Sequence, residues 1–110
     1  MKDEKFLGKI ESVDIKVEEG FFGLYIALTS NPLWVMSKST TWNPETVKVS
    51  PYTKWTEEDR DADLVHIMRK IASLMNDAGV STLSELKNIP VELHFINGRL
   101  DTWRILKEVL

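Results

Sequence analysis

Residues 56 to 80 carry helix-ending chemistry at both ends, and that fixes one long helix as the organising element. Thr56 can cap it, its hydroxyl accepting from a free N–H of the first turn, with Asp59 three positions on as a weak form of the capping box. Glu57, Glu58 and Asp59 bring negative charge to the positive end of the helix dipole. Leu64, Met68, Ile71, Met75 and Ala78 follow 4-3-4-3 spacing, and Ile67, Ala72 and Leu74 widen that stripe. Gly79 suits the left-handed position that closes a helix, and Val80 can then fold back on Met75 in a Schellman stop. A helix with one wide apolar stripe has to cover something, and the rest of the chain supplies strands.

From Phe6 to Val17 apolar and polar residues alternate with period two, but the phase slips. Phe6, Gly8 and Ile10 share one parity; Val13, Ile15 and Val17 share the other. One inserted residue produces such a slip, so a β-bulge or sharp bend is expected near Ser12-Val13. Glu19-Gly20 reads as a turn, and Phe21 to Thr29 as a strand apolar on both faces, hence central or covered. Leu33 to Met36 reads as a third short strand. Residues 37 to 56 are irregular, with Val47 to Val49 alone resembling a strand.

Beyond the long helix, Thr82 and Glu85 suggest a second capping box for a short helix over Leu83 to Lys87. Val91, Leu93 and Phe95 then alternate with Glu92 and His94. Asn97-Gly98 favours a type I′ hairpin turn, and the return strand runs from Arg99 to about Lys107. Its apolar residues slip phase again near Asp101-Thr102. The expected fold is α+β: a bent antiparallel sheet, made of an N-terminal β-meander and a C-terminal β-hairpin, packed on one long amphipathic helix with a short second helix. The 110 residues are read as a single domain.

Composition narrows the function. With no cysteine, disulfides, thiolate metal sites and cysteine nucleophiles are excluded. The charged start Met1-Lys2-Asp3-Glu4-Lys5 is unlike a signal peptide, and no stretch approaches the ~18 apolar residues of a membrane span, so a cytoplasmic protein with no membrane partner is expected. The net charge of −3 argues against non-specific binding to nucleic acid. No Gly-x-Ser-x-Gly elbow and no Gly-rich phosphate loop is present. The expectation is a non-enzyme without cofactor or metal.

Three groupings merit weighing. Asp59, Asp63 and His66 stand at i, i+4 and i+7 on one helix face, a spacing that can gather ligands around a metal or a water. An acidic first turn beside a solvated histidine explains them more simply. A two-residue turn at Asn97-Gly98 would place His94 across from Asp101, which can orient a general base, but no nucleophile accompanies them. The strongest candidate is the aromatic segment, where Trp34, Trp42, Tyr52 and Trp55 are interleaved with Asn43, Lys48, Lys54 and Arg60. Such rings suit stacking on a base or anchoring a protein, or they close the core. The residues selected for binding are Trp42, Asn43, Tyr52, Lys54, Trp55 and Arg60. A separate acidic face comprises Glu57, Glu58, Asp59, Asp61 and Asp63.

The segment Lys54-Trp55-Thr56-Glu57-Glu58-Asp59-Arg60, the helix from Met68 to Ala78, the strand start Pro90-Val91-Glu92 and the ending from Trp103 to Leu110 resemble a group of small proteins encoded by tailed bacteriophages and prophages. The likeness covers residues 54 to 110. It implies a phage or prophage origin and assigns no catalytic residue. The leading expectation is therefore a small accessory protein that binds a host or phage protein, with inhibition of host or anti-phage defence machinery as one mode. The alternative is a nucleic-acid or nucleotide-binding module using the aromatic segment on a small barrel-like sheet.

Overall fold

The structure, a computed structural model, describes residues 2–30, 34–37, 41, 42, 44 and 56–110, with 34–37 described as backbone only. Its strands are β1 (Asp3–Glu18), β2 (Phe21–Thr29), β3 (Trp34–Ser37), β4 (Thr41–Trp42), β5 (Pro90–Ile96) and β6 (Arg99–Ile105). All pair antiparallel in one curled sheet along the path β3-β2-β1-β5-β6, and β4 also pairs with β2. The meander is β1-β2-β3 and the hairpin is β5-β6. Pairing of β1 with β5 merges them, a strand order that alternation alone does not specify.

Both phase slips are bulges. Ile10 faces Leu28 and Ser12 faces Ala27, so Glu11 is the inserted residue. Phe95 faces Leu100 while His94 faces Thr102, so Asp101 is the second insertion. Asn97 and Gly98 take φ of 52° and 79°, as a type I′ turn requires. Glu19 and Gly20 do the same at 52° and 83°, although glutamate is not favoured there.

The helix α1 (Glu57–Ala78) has the anticipated caps. The Thr56 hydroxyl accepts from the Asp59 N–H at 3.2 Å, and the Asp59 carboxylate accepts from the Thr56 N–H at 2.9 Å. At the other end Gly79 is left-handed, and Val80 N–H reaches the Met75 carbonyl at 3.1 Å. The buried line is Ile67, Ile71, Leu74 and Ala78. These pack on Ile10, Leu24, Leu28, Val91 and Leu93 of the sheet. Met68, expected in the stripe, is instead 59% exposed. The apolar stripe is wider than the sheet can cover, and docking through the 67-71-74-78 line turns Met68 outward.

The short second helix is only a 3-10 turn, Leu83–Leu86. Its capping box is not formed: the Thr82 hydroxyl donates to the Glu85 carboxylate at 2.7 Å and makes no side-chain cap bond. Two anchors hold the segment to one turn. Leu86 is fully buried, and Asn88 N–H donates to the Ile10 carbonyl at 2.7 Å with φ of 70°. The chain is pulled onto β1 before a second turn can form. The return strand likewise ends at Ile105, and Lys107–Val109 forms another 3-10 turn.

Candidate functional site

The start of α1 meets the sheet through one side chain. Arg60 follows the capping turn by one residue and points at β4, the pair of residues that extends the meander beyond β3. Its guanidinium lies 4.2 Å from the centroid of the Trp42 ring. It also donates to the Pro44 carbonyl at 2.7 Å and to Glu57 at 3.2 Å. Trp42 meets Phe22 edge to face, with centroids 6.1 Å apart and planes at 86°. The indole is half-buried against the core, and its N–H has no acceptor among the described residues. Trp42 is therefore a cover over the junction of β2 and α1, held by a cation–π contact. Its ring is already engaged by Arg60 and Phe22 and is poorly placed to stack on a base. Asn43, Tyr52, Lys54, Trp55 and the expected strand at 47–49 lie outside the described residues.

The acidic face divides by role. Asp59 caps the helix and Glu57 holds Arg60. Glu58 and Asp61 are exposed, Asp63 is half-buried, and none of the three has a cationic partner among the described residues. A second acidic group joins them. Phe22 pairs with Val17 on one side and Trp42 on the other, so the Glu19-Gly20 turn lies at the end of the molecule where α1 begins. Asp14, Glu18 and Glu19 are exposed there. Lys16 pairs with Glu18 at 3.9 Å and sits 5.2 Å from the Tyr25 ring centroid. Among the described residues the ribbon and the start of α1 thus carry eight carboxylates, while Lys16 and Arg60 are engaged in ion pairs and Lys87 lines a groove with Glu11 and Asp14.

The other groupings do not assemble. The Asp59 carboxylate is committed to the cap, His66 is exposed, and no group of three His, Asp or Glu among the described residues is arranged to hold a metal. His94 does not face Asp101, because the bulge inserts Asp101 and moves Thr102 opposite it. Its Nε2 meets the Asp3 carboxylate on β1 instead. Trp103 is half-buried in the core, with the Lys70 ammonium 5.2 Å from its ring centroid. Arg104 bonds Glu108 at 3.0 Å and Glu92 at 3.3 Å, which raises the guanidinium pKa and, through the Arg104 bond, lowers that of Glu108.

The exposed β1-β2 turn is not among the binding residues selected from the sequence. The signal was present in Ile15 and Val17, whose alternation implies cover that the structure does not provide: they are 44% and 62% exposed. No protein-family model matches the chain, and no curated protein or solved structure matches it.

Proposed function

We propose that this chain is a small non-enzymatic binding protein of phage or prophage origin that acts in the host cytoplasm on a protein with a basic surface. The observation that carries this reading is the acidic end. Glu58, Asp61 and Asp63 on α1, Asp14 on β1 and Glu19 on the β1-β2 turn carry carboxylates with no cationic partner among the described residues. Fixed charges of one sign steer an oppositely charged partner and fix its orientation. An acidic surface of this kind can occupy a site that normally takes nucleic acid, and a host or anti-phage defence protein fits that description. The phage setting rests on the resemblance over residues 54 to 110.

The test is affinity capture from bacterial lysate, comparing the parent with Glu58→Gln/Asp61→Asn/Asp63→Asn. Asp59 is left intact because it caps the helix. The expected result is one basic protein retained by the parent, lost from the variant, and released as salt rises from low to physiological strength. Equal retention by parent and variant would contradict the acidic end as the binding surface.

A further inference from the structure

We infer that the projecting β1-β2 ribbon is a docking element for a protein surface with an apolar centre and a lysine- or arginine-rich rim. This rests on the binding reading above and adds the element and the partner's chemistry. Pairing of β1 with β5 ends at Lys9 and Pro90, and beyond the Glu11 bulge β1 pairs with β2 alone among the described residues. Val13 still packs on the core. Ile15 and Val17 continue its face, yet they are 44% and 62% exposed. Phe21, on the opposite face, is 46% exposed and borders a shallow groove of about 330 Å³ with Tyr25 and Thr41. Two-sided apolar exposure at the end of a strand pair is an aggregation hazard unless something covers it or charge guards it.

The charge says which partner fits. Asp14 and Glu18 flank Phe21 and Tyr25 on one face, with Lys16 between them and paired to Glu18, Glu19 stands at the tip beside Val17, and the start of α1 adds Glu58 and Asp61 at the same end. A second copy of this chain, docking by the same face, would bring these carboxylates together, which like-charge repulsion opposes. Nucleic-acid phosphates meet the same repulsion. A basic rim around an apolar centre matches both features. Glu19 adds an independent mark: it holds φ of 52° in a turn that asparagine or glycine would form with less strain.

The probe is a pair of synthetic peptides of equal positive charge, one alternating lysine with leucine and one alternating lysine with serine. Each is titrated into the ¹⁵N-labelled full chain at low salt. The lysine–leucine peptide should shift the amides of residues 13–22 and bind about tenfold more tightly than the lysine–serine peptide, as expected when two or three apolar side chains are partly buried. Ile15→Ser/Val17→Ser should abolish that advantage while leaving the melting temperature and the weaker binding unchanged. Equal affinity for both peptides, or shifts confined to residues 57–63, would overturn the ribbon inference and leave the acidic binding reading standing. No binding of either peptide would overturn both. Concentration-dependent shifts at residues 13–22 without peptide would show that a second copy is the occupant, and would also overturn it.

Discussion

The two halves of β1 carry the same kind of pattern and meet different fates. From Phe6 to Lys9 β1 pairs with β5, the pairing with β2 takes over from Lys9, Phe6 packs on the core and Ile10 is completely buried. From Val13 to Val17 the alternation is equally regular, yet exposure rises toward the tip until Val17 is 62% exposed. Glu11 separates them. Period-two alternation specifies which way a side chain points; only the rest of the fold decides whether anything lies there. An apolar residue that points toward the core side and finds no core is a more informative signal than one that is buried.

The largest test of this contrast is in the inner half. Leu93 is fully buried beneath it, and Leu93→Ala should cost about 2–5 kcal/mol in chemical denaturation. A loss below about 1 kcal/mol would mean that the core is looser than its burial implies. Gly8→Ala comes next. A Cβ there would stand 2.3 Å from the Thr29 carbonyl oxygen, a backbone atom with little room to move, so a loss of about 1–3 kcal/mol is expected. An unchanged midpoint would show that β1 and β2 can separate at this row.

In the outer half the effects should be smaller and of a different sign. Glu19→Asn relieves a left-handed glutamate and should stabilise the fold by about 1 kcal/mol, read as a raised denaturation midpoint. Val17→Ser should change stability by less than about 0.5 kcal/mol, because most of the side chain is already in water. A loss as large as that of Leu93→Ala would erase the distinction between the halves. The smallest effect belongs to the far edge of the sheet. The Arg104 bond lowers the Glu108 pKa, so its stabilisation is present above the ordinary carboxylate range and is lost as pH falls through the lowered value. Both groups are exposed, so Glu108→Gln should show only a slight deficit in melting temperature at neutral pH, vanishing in acid.

Much of the fold was legible because local chemistry dictates it. Thr56, Asp59 and Gly79 act within a few residues of themselves, and so do Asn97 and Gly98. The bulges were legible as breaks in parity, although Glu11 rather than Ser12-Val13 is the inserted residue. Pairings set at long range were not legible. His94 finds Asp3, 91 residues away, because β1 and β5 are neighbours, and no local pattern reports that. Met68 and Ile67 both lie on apolar helical spacing, and the curvature of the sheet chooses between them. The short helix failed for a related reason: its capping residues were sound locally, but Asn88 and Leu86 are held by β1 and the core.

The site was legible in its residue types and not in its geometry. Trp42 and Arg60 were selected for binding, yet they stack on each other and close the β2-α1 junction. The acidic residues of α1 divide between capping, pairing with Arg60 and free surface, and Glu18 and Glu19 at the same end come from sequence positions about forty residues earlier. They meet only because β4 returns to the start of β2 and α1 begins beside it.

Native-state hydrogen exchange along β1 reads the two halves within one strand. Only amides bonded to a neighbouring strand are compared. Those of residues 5–10 should exchange through global unfolding, while those of residues 13–18 should exchange through local opening at clearly lower free energy. Equal protection on both sides of Glu11 would contradict this, because the ribbon would then be as well covered as the core.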